Sequence, residues 1–599
     1  MLKKWSLTPL SIIALTFVLC TPALFAGYFG DDYMHHALLQ ESSPIQKPQD
    51  LSILGLFSFV NGDSARTLQL MDLGLLPWWT NPDLKYAFWR PISEITHWLD
   101  HKLWPSSPEL MHAQNIAWYL LLLYLVHVLF KVSLPSKASV LSASAPLLAM
   151  LIYGLDSSHG FTVSWIANRN ALIATTFGVS SLIFYIRWRN KDHYNNYILS
   201  LVFLCLSLLS AEFGISTCAY LGAFAIFMDK NGPIKGLTYI LPHAALTGLW
   251  WLIYKVGNFG AANADAYYLD PIASPILFLS TLGERLIALI GSQWGLIPAE
   301  VFGFIGPSNQ VIANVALTVG AVFISLTLLL LTPLLKQYAH LRFWFFGMLF
   351  AALPVCSAAP HDRVLLFIGL GGSYCAAAII IAALKHTQEL YGNLAPVAKL
   401  TAYPFALTHL ILAPLLMPLM SYSTKIWSAQ LDLAPALFSG INATKEYIEN
   451  KQIILFNVPI GSALAITTTR VVKNLPLPNK LWVISTTSSE TTVTRKSDNQ
   501  ILASKPSGFI TGPEQATRNL LSKPIKIGDK VMLNGISIET IKVSDQGHPT
   551  EILLTFKNSL DDPNMMLLNW NQAAKDFEEV DIPMISKQYI FLAAETPTP

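Results

Sequence analysis

The chain is a succession of apolar stretches, most of them about as long as the roughly 20 residues a helix needs to cross a bilayer. Candidates lie near residues 8–27, 113–132, 139–155, 169–187, 195–211, 213–229, 236–254, 310–335, 343–359, 364–384 and 400–421. Only 13% of the 599 residues are charged and 53% are hydrophobic. Soluble chains carry about a quarter charged residues, so most of this one is expected to lie in lipid. The expected fold class is a multi-pass α-helical membrane protein of about eleven spans, with a small C-terminal domain. The formal net charge of +2 comes without any basic tract, which argues against nucleic acid as a partner. Cys20, Cys205, Cys218, Cys356 and Cys375 fall in or beside apolar stretches without metal-ligand spacing. They read as small core residues.

Short basic loops set the orientation. Lys3 and Lys4 precede the first stretch, Lys131 and Lys137 follow the second, and Arg187, Arg189 and Lys191 follow the fourth. Lys230 and Lys235, Lys336 and Arg342, and Lys385 and Lys399 continue the alternation. The N-terminus is therefore expected on the cytoplasmic side and the C-terminal domain on the extracytoplasmic side, at an inner or plasma membrane if the source is bacterial. Leu24 is large for a processing site ending at Ala26, so the first stretch is expected to stay attached. Residues 1–435 form the expected transmembrane domain. Its outer loops, 28–112 and 255–309, mix aromatic, proline and amphipathic segments suited to helices lying along a membrane surface. Residues 436–599 form the expected soluble domain. Segments 452–458, 480–486, 529–533, 536–543 and 550–557 are rich in β-formers, and Asn534-Gly535 between two of them is a hairpin signal. A β-rich α/β fold is expected there. Asn442-Ala443-Thr444 fits an N-glycosylation sequon.

Ionisable residues near membrane depth are expensive and mark function. Here they share the outer side: Asp31 and Asp32, then Arg90, His97 and His112, then His159 and Arg169, Glu212, Lys255, and the turn His361-Asp362-Arg363. Lone Lys and Arg suffice for orientation; a mixture of acids, histidines and arginines does not follow from it. Any one of these residues alone reads as an interfacial anchor or helix cap. Asp31-Asp32 can serve as a general base or bind a divalent metal; equally, Asp32 can cap a helix starting there. His35 and His36 are adjacent, point in different directions on a helix, and have no third ligand in register. No metal site is assigned to them, and a divalent metal at the aspartate pair stays open as the one candidate cofactor. Arg90, Arg169 and Arg363 present planar forks suited to phosphate oxygens, or else snorkel.

Four segments in order resemble the GT-C glycosyltransferases, and most closely the O-mannosyltransferase branch that includes the transmembrane-and-tetratricopeptide-repeat proteins and their bacterial relatives. They are Phe29-Gly30-Asp31-Asp32, Trp89-Arg90-Pro91-Ile92-Ser93 with His112-Ala113-Gln114-Asn115, Val163-Ser164-Trp165-Ile166-Ala167-Asn168-Arg169, and Leu208-Leu209-Ser210-Ala211-Glu212. The resemblance covers about residues 8–230, with Pro360-His361-Asp362-Arg363 as a fifth point of contact. It departs where the branch has a lysine (Ala211 here) and a second histidine (Tyr119 here), and no repeat array follows.

The resemblance implies an inverting transfer, on the outer face, of a sugar from a polyprenyl-phosphate donor to a hydroxyl of a protein or glycan acceptor. In that scheme Asp31 or Asp32 is the base, the first of the pair being preferred. Arg90, Arg169 or Arg363 holds the lipid phosphate. His112 and Asn115 join the substrate-binding set, and Glu212 orients an arginine or the acceptor. Two alternatives stand beside it. One is an inactive membrane protein of the same fold that binds a lipid-linked glycan or an envelope partner. The other is a lipid or glycan transporter, for which His127, inside a span, is the one clear ionisable residue in place.

Overall fold

The structure is a computed structural model. It describes residues 7–48, 50–135, 144–191, 193–264, 267–295, 297–305, 309–431, 437–438, 444–459, 462–487, 489–520, 522–571 and 574–592. Lys3, Lys4, Lys137, the start of the expected third span and the Asn442-Ala443 part of the sequon lie outside these.

Six helices among the described residues are long and apolar enough to cross a membrane: Pro108–Val132, Ile166–Lys191, Pro275–Gly295, Gln310–Gln337, Leu366–Lys385 and Thr387–Met420. Shorter apolar helices accompany them at Pro9–Phe25, Ala145–Gly154, Tyr194–Leu208, Glu212–Phe227 and Ala339–Val355. The protein is an integral membrane protein on this ground. Apolar side chains such as Leu249, Leu252, Val315, Leu400 and Leu415 lie exposed on its helices, as lipid-facing positions must. Helix Leu366–Lys385 runs through the middle of the bundle, and almost every residue of it is buried. A Cβ at Gly371 would stand 2.2 Å from the Trp344 carbonyl, so only glycine allows helix Ala339–Val355 to pack so closely against it.

Two expectations change at the level of elements. The expected span 236–254 is broken into Pro233–Tyr239 and Leu241–Val256. The expected loop 255–309 contains the 21-residue helix Pro275–Gly295. Arg285 on it donates to the carbonyls of Cys356 (2.7 Å) and Ala358 (3.0 Å). Ser292 donates to Asp362 at 2.7 Å, and Ala299, just beyond the helix, donates its N–H to the same carboxylate at 2.8 Å. The helix is thus tied to the turn 356–362 and also packed into the bundle: a Cβ at Gly291 would stand 2.9 Å from the Gly320 Cα of helix Gln310–Gln337, and Trp294 Nε1 donates to the Gly372 carbonyl at 3.3 Å.

The segment after the first helix folds onto the bundle as helices Asp31–Leu39, Ser64–Asp72 and Pro91–Leu103, with strands at Ser58–Asn61 and Lys85–Ala87. A third strand, Gly260–Ala262, joins these two in an antiparallel sheet whose middle strand is Lys85–Ala87.

The C-terminal part is β-rich. In one sheet, Met565–Asn571, Gln452–Phe456 and Lys480–Val483 run parallel, and Asp576–Val580 closes one edge antiparallel. Helix Ala463–Val472 makes the crossover that a parallel pair requires. The other sheet is antiparallel, in the order Gln588–Phe591, Thr491–Ser497, Gln500–Ser504, Pro549–Phe556, Ile536–Val543, Lys530–Leu533. The Asn534-Gly535 turn sits where the sequence places it, with Gly535 at φ +103°.

Candidate functional site

Gly30 adopts φ +52° immediately before helix Asp31–Leu39, a conformation side chains rarely take. The reversal sends the two aspartates to different places. Asp32 is buried: its carboxylate accepts from the Phe29 N–H at 2.9 Å and from the Ala167 N–H at 2.6 Å. It therefore does not cap its own helix; Gly30 occupies the cap position. Asp31 has no hydrogen bond among the described residues and faces a cavity of about 350 Å³. That volume lies within the roughly 300–1,000 Å³ usual for small-molecule sites.

Arg90, Glu212, Lys255 and Arg363 line the same cavity, drawn from segments more than 300 positions apart. Arg90 places Nε and Nη2 on one Glu212 oxygen, at 2.9 and 2.8 Å, and lies over the rings of Phe57 and Phe88. Lys255 pairs with Asp270 at 2.7 Å. Arg363 lies 5.1 Å from the Trp165 ring centroid, and its Nε has no partner among the described residues. Nδ2 of Asn168 and Nε1 of Trp250, on two further lining residues, also have none. The walls are otherwise aromatic, with Tyr254 and Tyr268 beside Trp250. Trp251 and Ile272 line the cavity and are also exposed on the molecular surface, at 40% and 65%. The rim thus has an apolar edge beside the partly exposed Lys255–Asp270 pair.

Burial raises the Asp31 carboxyl above its ordinary range, and the charges of Arg363 and Arg90 hold it partly down. Burial pushes Asp32 up to about 8 against the pull of its two N–H donors.

Three expected site residues stand behind the cavity instead of in it. Arg169 is fully buried: it pairs with Asp100 at 2.5 Å, donates Nε to Asn115 Oδ1 at 2.6 Å, and donates to the Met111 carbonyl at 3.0 Å. Asn115 donates to the carbonyls of Val163 and Trp165. His112 Nε2 meets the Gly27 carbonyl at 2.8 Å. Asn115 satisfies the carbonyls of Val163 and Trp165 that precede the turn Ile166–Asn168, and Arg169 in turn holds Asn115. The turn they fix also carries Ala167, which holds Asp32, and Trp165, whose Nε1 donates to the Phe29 carbonyl at 3.2 Å. Of the 361–363 turn, only Arg363 reaches the cavity. Asp362 is held by Ser292 and Ala299, and His361 meets Glu300 at 2.5 Å.

Sequence reasoning passed over Asp100, Trp250, Tyr254, Tyr268 and Asp270. The aromatic residues sit in apolar or loop stretches where nothing marks them as site residues. Asp100 was legible only as an acid in an amphipathic helix. No three His, Cys, Asp or Glu side chains among the described residues are grouped so as to hold a metal ion.

No family model matches the chain, and no curated protein matches it. Among solved structures it is similar to the Archaeoglobus fulgidus oligosaccharyltransferase in complex with Zn and sulfate, at 12% identity and a TM-score of 0.37. That alignment covers 78% of this chain and 62% of the other, so this chain spans under two thirds of that enzyme. It is also similar to ArnT from Cupriavidus metallidurans bound to undecaprenyl phosphate, at 12% identity and a TM-score of 0.34, covering 78% of this chain and 85% of that one.

Proposed function

We propose that this protein is an inverting glycosyltransferase that moves a sugar from a polyprenyl-phosphate donor to an acceptor hydroxyl, with its cavity open to the extracytoplasmic leaflet. One observation carries the reading. A carboxylate without a hydrogen bond among the described residues and an arginine with a free Nε share one aromatic cavity with an exposed apolar edge.

Asp31 is the base. Its raised pKa brings it nearer the strength needed to take a hydroxyl proton. The freed oxygen attacks the anomeric carbon from the face opposite the phosphate. The bond from that carbon to the phosphate oxygen breaks, and its electron pair leaves with the lipid phosphate. The proton stays on Asp31. Arg363, which acts on Asp31 through its charge but has a free Nε among the described residues, stabilises the charge that develops on the departing phosphate. Arg90 is already neutralised by Glu212; that pair shapes the wall and orients the acceptor. The exposed apolar edge at Trp251 and Ile272 passes the polyprenyl chain into lipid. All steps use protein groups; no divalent ion is assigned.

The test reconstitutes the full chain in liposomes with an undecaprenyl-phosphate-linked hexose and a cell-envelope extract as the acceptor source, and follows release of undecaprenyl phosphate. Asp31→Asn is expected to lower the rate by about 10²–10⁴-fold while binding of undecaprenyl phosphate persists. Arg363→Met is expected to weaken that binding. Full release by folded Asp31→Asn protein sinks the proposal.

A second reading rests on Ala211, which lines the cavity where the resembled branch carries a lysine. A chain that binds undecaprenyl phosphate yet releases none from the donor under any acceptor is a binding protein of the same fold.

A further inference from the structure

The carbonyls of one short turn tie the C-terminal sheets to the loop that walls the cavity. The last carbonyls of a helix have no partner within it. In the turn Gly512–Thr517 they are satisfied from outside. Trp79 Nε1 donates to the Glu514 carbonyl at 3.2 Å, the Tyr86 hydroxyl to that of Ala516 at 3.0 Å, and the Asn81 N–H to that of Thr517 at 2.9 Å. Trp78 donates to the Ile484 carbonyl at 3.1 Å. Both indoles are buried in the core of the C-terminal sheets with Phe456, Trp482 and Phe509.

Tyr86 belongs to both sides. Its backbone pairs with Val60 and Ala261 in the three-stranded sheet. Its ring meets that of Tyr268 edge-on at 5.8 Å. Ala261 and Tyr268 line the cavity, and two residues after Tyr86 comes Phe88, whose ring supports Arg90. A second path reaches the base. Val471, on helix Ala463–Val472, packs in one apolar cluster with Met34 and Leu38 of the helix that begins at Asp31.

We infer that the C-terminal domain is a positioning element of the cavity, acting on its wall through Tyr86 and on the Asp31 helix through Val471. A domain that merely hung from the last membrane helix would need no contact with strand Lys85–Ala87 or with helix Asp31–Leu39. The inference stands on this packing alone, independently of what the cavity transfers.

Tyr86→Phe keeps the ring and deletes one hydrogen bond; Trp79→Phe with Tyr86→Phe deletes two. Hydrogen–deuterium exchange on the full chain in nanodiscs reads strand residues 85–87 and 260–262 directly. One lost bond, at about 1 kcal/mol, should speed exchange there about fivefold, with the unfolding midpoint of the Tyr86→Phe protein little changed. The double variant should add to the effect. If Tyr86→Phe speeds exchange only in residues 512–517, or nowhere, the domain rests on the loop without positioning it and the inference falls. Binding of undecaprenyl phosphate is measured in parallel on the unaltered chain. Its absence would count against the transferase reading and leave the exchange result to decide this one.

Discussion

Asp31 and Asp32 adjoin in sequence but meet different surroundings. Two backbone N–H groups occupy both oxygens of Asp32, whereas the carboxylate of Asp31 meets only the cavity and the fields of two arginines. Transfer that needs ionised Asp31 should rise with pH along a limb above the ordinary carboxylate value of about 3.9. Arg363→Met should move that limb further to alkaline pH, because a cation that favours the charged form is gone; a pH–rate profile of both proteins checks this. The same shift has a sign for stability. A carboxyl whose pKa is higher folded than unfolded contributes most at low pH, and its contribution is lost as the pH climbs from the unfolded value through the folded one. Asp31→Asn should therefore raise the unfolding midpoint near neutral pH while abolishing transfer. Burial pushes Asp32 up to about 8, so its charge carries the same sign, and Asp32→Asn should raise the midpoint less than Asp31→Asn does, the difference being one lost acceptor. The amide cannot accept from both donors, and the buried N–H left over costs about 1–3 kcal/mol. The motif was legible as a pair of acids; which one meets the cavity depends on the turn at Gly30 and on Ala167, 135 positions beyond Asp32, neither of which local patterning ranks.

Among elements, the first turn of helix Arg169–Lys191 shows what arginine does when no phosphate is in reach. Its guanidinium joins helices Pro91–Leu103 and Pro108–Val132 through Asp100, Asn115 and Met111. Arg169→Met leaves Asp100 buried without its partner and should cost about 3–5 kcal/mol, read as a lowered unfolding midpoint in detergent. Its effect on undecaprenyl phosphate binding should follow that loss of fold, unlike Arg363→Met, which should weaken binding in a protein that unfolds normally. Hydropathy located most apolar helices because lipid-facing and core positions are both apolar. It missed the break at Ile240 and passed over helix Pro275–Gly295, whose apolar run is interrupted by Glu284, Arg285 and Gln293. In the β-rich part, alternation marked Ile536–Val543 and Pro549–Phe556. Met565–Asn571, buried on both faces, has no alternation to read.

At the scale of the whole molecule, distant loops meet. The middle strand of the small sheet takes its partners from within the first loop and from about 170 residues downstream, a pairing no local pattern announces. Trp78 and Trp79, within the loop expected to lie along a membrane surface, are core residues of the C-terminal sheets. A chain ending at residue 435 should expose both indoles. It should aggregate on detergent extraction, or show residues 64–88 cut first by added protease, while the bundle helices stay protected. The same docking sets an order of assembly. Domains form as the chain emerges, N-terminal parts first. Yet the first loop cannot seat its two tryptophans until strands beyond residue 450 have been made and paired. A segment made among the first is thus finished among the last, and through most of biosynthesis the cavity has no completed wall.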